Sequence, residues 1–205
     1  MRRVAGALGD HRYAGRDLLT LWPSYVVQLP YYLVHPFIAD ARFTALFASQ
    51  WEAEWAYFNS SSLHAGERGR YGSGAGPTAT WCAGVGYKAD LISNDTTSQT
   101  CRMFSPYAVA GYLPAAPEVI KGHLLDLLAA GEAVLPVSGT DTYVLWRKSL
   151  LDPAWSPVPR QGARDAGYGL TLVDFAAELF GLSTLWLGAD FFRNNTNHWG
   201  SNGIH

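Results

Sequence analysis

The chemistry this chain could perform rests on its carboxylates. Asp174 and Glu178 stand four residues apart in the most apolar stretch of the sequence. On a helix that spacing puts both on one face. Two acids among apolar residues cost free energy unless they are paired or put to use, and one of such a pair can carry a raised pKa, as a general acid requires. The structural alternative is that Asp174 caps the helix and Glu178 pairs with an arginine. Glu118 follows Pro117, which suits a first helical position, so Glu118 falls in a first turn where free N–H groups and the helix dipole favour its anion. That placement suits a base or an acceptor for a ligand hydroxyl, unless Glu118 is only a dipole partner. Asp90 and Asp95 lie in a Gly/Ser/Thr-rich stretch beside Trp81, Tyr87 and Lys88. Long loops of that kind often carry function, although a solvated loop acid is the plainer reading.

Other chemistries are excluded by what the sequence lacks. No H-E-x-x-H and no Cys/His cluster is present, so neither a zinc site nor any other metal is expected. No G-x-S-x-G elbow and no P-loop occur, and the run YGSGAGP does not follow a strand, so no nucleotide cofactor is expected. The six histidines are scattered. With 15 Lys+Arg against 17 Asp+Glu the net charge is −2, which gives no basic patch for a nucleic-acid backbone. Aromatic residues make up 14% of the chain, with 8 Trp and 11 Tyr. Such rings line cores, and they also stack on the apolar faces of sugars.

These residues need a scaffold, and the periodicity predicts helices. Phe43, Leu46, Phe47, Gln50 and Trp51 recur at spacings of three and four within residues 37–58. Ser105-Pro106 opens a short helix that closes at Pro114. Pro117 opens EVIKGHLLDLLAAG, which ends at Gly131 as a C′ glycine. Thr140 or Asp141 is expected to cap a further helix, TYVLWRKSLLD, stopped by Pro153. Thr171 opens the last one, with Asp174 three residues on in a capping-box-like arrangement. Its stripe of Phe175, Leu179, Leu182 and Trp186 is expected to be buried, because a helix apolar nearly all round belongs among other helices. Residues 18–39 lack acidic and basic side chains apart from His35 and are long enough to span a bilayer. Pro23, Pro30, Pro36 and Gln28 instead predict one or two proline-broken helical segments buried by protein.

Residues 60–104 form a loop too long for an ordinary connection. Cys82 and Cys101, the only two cysteines, lie in it and are expected to form one bridge worth roughly 3 kcal/mol. A bridge would favour a periplasmic or extracellular location. No alternating strand pattern stands out. The fold class is therefore all-α, a single helical domain over residues 1–205 with 60–104 as a long functional loop.

The segment SPYAVAGYLPAAPEVIKG, residues 105–122, resembles a motif of the bacterial glucoamylase-like family, through Pro106, Tyr107, Ala108, Gly111, Leu113, Pro114, Ala116, Pro117 and Glu118. GSGAGP followed by GYKAD, the stretch YAGRDLLTLWPSYVVQLPYYLV and the helix ELFGLSTLWL resemble further parts of it. Where that family carries Asp-Gln-Gly before the closing helix, this chain has Tyr168-Gly169-Leu170. The resemblance implies an (α/α)6 toroid, of which this chain would be about the C-terminal half, since twelve helices need roughly twice its length. It implies a glycoside hydrolase-like domain acting on or binding a β-glucan by two carboxylates. Glu118, Asp174 and Glu178 would be the acids, and Trp81, Tyr87, Asp90, Tyr107 and Tyr112 the sugar-binding residues. The partners implied are an oligosaccharide or polysaccharide and another chain completing the toroid. The rival readings are a non-catalytic carbohydrate-binding or structural module, and a membrane-associated subunit resting on residues 18–39.

Overall fold

The computed structural model describes residues 11–13, 16–18, 24–59, 103–104, 106–132, 134–136, 139–145, 148–149 and 172–195. They are mostly helical. Helices α1 (Tyr25–Leu33), α2 (His35–Ile38) and α3 (Ala41–Phe58) come first. Then follow α4 (Pro106–Ala110) and α5 (Pro117–Ala130), and finally α6 (Leu172–Leu187) and α7 (Phe191–Asn195). Three small antiparallel ribbons accompany them: β1 (His11–Tyr13) with β2 (Arg16–Leu18), β3 (Met103–Phe104) with β6 (Lys148–Ser149), and β4 (Val134–Pro136) with β5 (Tyr143–Leu145).

Prolines and short polar side chains set the helix boundaries. Val34 is extended and separates α1 from α2, and Pro36 sits in the first turn of α2, where its missing N–H costs nothing. Asp40 caps α3: its Oδ1 accepts the N–H of Arg42 at 2.8 Å and of Phe43 at 3.4 Å. Pro117 begins α5, and Gly131 ends it at φ 65°, a left-handed conformation that glycine adopts without strain. Of the prolines expected to break residues 18–39, Pro36 follows a break at Val34, Pro30 lies inside α1 without ending it, and Pro23 lies outside the described residues. Val27, Gln28, Tyr31, Tyr32 and Ile38 are buried by protein, and among the described residues no helix is long and apolar enough to cross a membrane.

Two expectations are corrected. The stretch predicted as a helix after Thr140 is not one. Tyr143–Leu145 pairs with Val134–Pro136, and Lys148–Ser149 pairs with Met103–Phe104. Thr140 Oγ1 accepts the Thr142 N–H at 3.1 Å, a local turn that competes with helix capping. The run Tyr-Val-Leu is short, β-branched and aromatic, and apolar runs of that length do not separate helix from strand by period.

The second correction is the orientation of α6. Trp186 is 78% exposed, Leu179 51% and Phe175 41%, and Leu182 is half-buried. The buried face is instead Ala177, Glu178, Gly181 and Thr184. It is made mostly of small residues because α6 crosses the backbone of α4 closely. A Cβ at Gly181 would collide with the Ala110 carbonyl oxygen and lie 3.0 Å from the Gly111 Cα. A helix packs on its large residues only where there is room for them, and here contact with α4 outweighs side-chain volume.

The core lies between α1, α3, α4 and the turns that follow α4. Tyr31 stacks on Phe47 with ring centroids 4.0 Å apart, and Phe47 lies 5.1 Å from Tyr112. Tyr32, Phe180 and Phe192 form a second aromatic group that joins α1 to α6 and α7. Two hydrogen bonds lock α1 to α4 and to the residue that follows it. Gln28 Nε2 donates to the Ala108 carbonyl at 2.6 Å, and the Tyr32 hydroxyl donates to the Gly111 carbonyl at 2.7 Å.

Gly181→Ala should lower stability by about 1–3 kcal/mol or more, because the obstacle is backbone that cannot rotate away. Tyr32→Phe should cost about 1–3 kcal/mol by leaving the buried Gly111 carbonyl without its donor. Urea unfolding of the purified chains measures both, and a loss below about 0.5 kcal/mol in either would contradict the packing described, being the size expected of surface substitutions.

Candidate functional site

The structure separates the expected acids into distinct environments. Glu118 is exposed in the first turn of α5. Glu178 is buried, with 4% of its surface exposed, in the middle of α6. Asp174 falls on the same helix one turn earlier, and its side chain is outside the described residues. So are Trp81, Tyr87, Asp90, Asp95, Cys82 and Cys101. Tyr107 and Tyr112 are fully buried, so neither offers a ring face to solvent.

Glu178 opens onto a groove of about 300 Å³ between α5 and α6. Its walls are Leu124, Leu125 and Leu128 on one side and Phe175, Leu179, Leu182 and Leu185 on the other, with Leu145 and Lys121 completing it. The backbone N–H of Leu145 donates to the Glu178 carboxyl, while Oε2 is buried and has no hydrogen-bond partner. Burial pushes the Glu178 pKa up from 4.5 to about 7, against the opposing effect of the Leu145 hydrogen bond. The carboxyl is therefore about half protonated at neutral pH, where it can either donate or accept a proton. No arginine pairs with it among the described residues, so the structural alternative for Glu178 does not apply there.

Glu118 is related to this groove through helix geometry. Lys121, Leu125 and Leu128 follow it at three, seven and ten residues, which is one stripe of α5. Glu118 stands one turn before Lys121 on that stripe and is not among the residues that line the groove. The two acids stand on the two helices that border the groove.

A third acid was not foreseen. Glu54 is fully buried on α3 and accepts hydrogen bonds at Oε1 from Ser24 Oγ at 2.5 Å and from the Tyr112 hydroxyl at 3.2 Å. Burial first, and then the adjacent Glu54, hold the Tyr112 hydroxyl well above the usual tyrosine range, so it remains a donor. Glu54 continues the stripe Phe43, Leu46, Phe47, Gln50, Trp51 by three and four residues, so extending that periodicity one step would have flagged it. Through these hydrogen bonds Glu54 holds Ser24, just ahead of α1, and the 111–113 turn on α3. Among the described residues no three His, Cys, Asp or Glu side chains are grouped to hold a metal ion.

The Glu178 shift has a thermodynamic consequence of defined sign. Its folded pKa lies above its unfolded value, so the native state binds the proton more tightly. The resulting stabilisation is fully present below about pH 4.5 and is lost as pH rises through about 7. Glu178→Gln should remove that dependence. Urea titrations at pH 5 and pH 8 should show the parent losing roughly 1–3 kcal/mol more than the variant. Equal losses would mean that Glu178 titrates near the ordinary carboxylate value. The chain matches no family model, no curated protein and no solved structure.

Proposed function

We propose that the chain is a glycoside hydrolase-like helical domain, part of an α/α toroid, that acts on or binds a β-glucan through two carboxylates. The observation that carries the reading is Glu178, a buried acid with a pKa of about 7 beside an open groove. That is the ionisation a general acid needs to protonate a leaving glycosidic oxygen at neutral pH. Glu118, exposed one turn along the facing helix, takes the complementary part of base or sugar-hydroxyl acceptor. Asp174, one turn from Glu178, is the other candidate for that part. The resemblance in residues 105–122 is a second support for the reading.

The lining of the groove favours a second reading. It is leucine-rich, and Tyr107 and Tyr112 are buried away from it, whereas a sugar cleft presents rings and polar groups. A non-catalytic module, or a subunit whose groove is covered in a larger assembly, fits those walls.

Incubation with a panel of β-glucans, followed by reducing-end release, tests the proposal. The parent should hydrolyse at least one substrate, and Glu178→Gln should reduce the rate by roughly 10²–10⁴-fold, the usual contribution of a general acid. Glu118→Gln should also slow hydrolysis. No release from any glucan by the folded parent would leave the non-catalytic reading, and a Glu178→Gln variant as fast as the parent would remove the acid role.

A further inference from the structure

We propose that the groove between α5 and α6 binds an aliphatic primary amine, its ammonium group on Glu178 and its hydrocarbon chain along the leucines. The inference is independent of the glucan reading, because it rests on the groove and not on any reaction.

Glu178 Oε2 is what calls for a donor. It is buried without a hydrogen-bond partner, and the cost of that state is not offset by any protein group. The other carboxyl oxygen is served by the Leu145 N–H. A ligand that reaches Oε2 must bring its own hydrogen, and a cation gains most, since a charge-assisted hydrogen bond is about twice as strong as a neutral one.

The walls define the rest of the ligand. Apart from Glu178 and Lys121, the described lining is Leu124, Leu125, Leu128, Leu145, Phe175, Leu179, Leu182 and Leu185, with no polar side chain to bind hydroxyls along the chain. Burial of each methylene there contributes about 0.8 kcal/mol. A volume of about 300 Å³ lies at the small end of ligand pockets, which suits one unbranched chain.

Lys121 is the one charged group besides Glu178 among the described lining residues. It stands on α5 and is exposed, and it is not among the causes of the Glu178 shift. Its ammonium is therefore solvated at the rim, and it neither neutralises Glu178 nor fills the groove. Leu145, on β5, approaches Glu178 through its backbone N–H.

Binding has a proton signature. At pH 7 about half of the Glu178 carboxyls hold a proton that an incoming ammonium must displace, so about half a proton is released per amine bound. Well below pH 7 the amine competes with the proton, and affinity falls about tenfold per pH unit.

Isothermal titration calorimetry with n-octylammonium, octanoate and 1-octanol tests this on the whole chain. Runs in two buffers of different ionisation enthalpy read the released proton. The expected result is saturable one-to-one binding of n-octylammonium, with about half a proton released at pH 7. Affinity should be about fiftyfold weaker at pH 5 than at pH 7, and Glu178→Gln should lose most of the binding while Lys121→Met keeps it. Octanoate or 1-octanol binding as tightly as the ammonium would overturn the proposal, as would an amine affinity that is the same at pH 5 as at pH 7. The pH comparison uses the parent alone, so it decides the question even if Glu178→Gln does not fold.

Discussion

A buried carboxylate on α3 organises the described part of this protein. Glu54 cannot stay in a dry interior without donors, because an unsatisfied charge there costs several kcal/mol. Its Oε1 takes them from Ser24, just ahead of α1, and from Tyr112, in the turn after α4. Three segments far apart in sequence are thereby fixed at one point. Gln28 and Tyr32 then tie α1 to the carbonyls of Ala108 and Gly111 at two further points along the same contact. Hydrophobic burial alone would let helices of this aromatic richness slide or rotate against one another. Directional bonds to buried carbonyls remove that freedom, since any slip leaves polar groups unpaired.

Once α1 is locked to α4 and Gly111, α6 packs against both, through Phe180 on Tyr32 of α1 and through a close crossing of the Ala110 and Gly111 backbone. A helix can lie that close only with a small residue at the crossing. Gly181 supplies it, flanked on the same face by Ala177 and Thr184. The large residues of α6 are then turned away from that contact. Phe180 and Leu182 pack partly against the core, while Phe175, Leu179 and Leu185 face α5 across the groove. The exposed apolar wall is a consequence of a close crossing on the opposite side of the helix.

This explains what the sequence could and could not reveal. The boundaries at Pro106, Pro117 and Gly131 were legible because proline and glycine act through their own backbone geometry, which needs no partner. The break ahead of Pro36 was legible for the same reason, whereas Pro30 is accommodated inside α1. The exposure of Phe175, Leu179 and Trp186 was not, because periodicity shows that residues share a stripe and not which stripe finds a partner. On α6 the contact chosen was the one made by small residues, and an apolar count undervalues those. The ribbon at 143–145 was missed because its pairing partner, residues 134–136, lies across a turn that local pattern does not connect. For the site, the type and spacing of Glu178 on its helix were readable, and the absence of an arginine paired with it among the described residues was not. Glu54 was hidden by a stripe that appeared complete at Trp51.

The acid of the groove and the glycine of the crossing are parts of one arrangement. Glu178 stands three residues before Gly181 and belongs to the same buried face. The approach that Gly181 permits draws this whole face out of water, and Glu178 is the one ionisable member of it among the described residues. Desolvation, not a neighbouring charge, is the main cause of its raised pKa, so the shift is set by how near α6 lies to the helices beneath it. A wider crossing would admit water to the carboxyl and return its pKa toward the ordinary value. The proton affinity of Glu178 thus depends on how closely its face is packed, to which the Gly181–Ala110 contact belongs, while Leu145 of the groove opposes the shift through its backbone N–H.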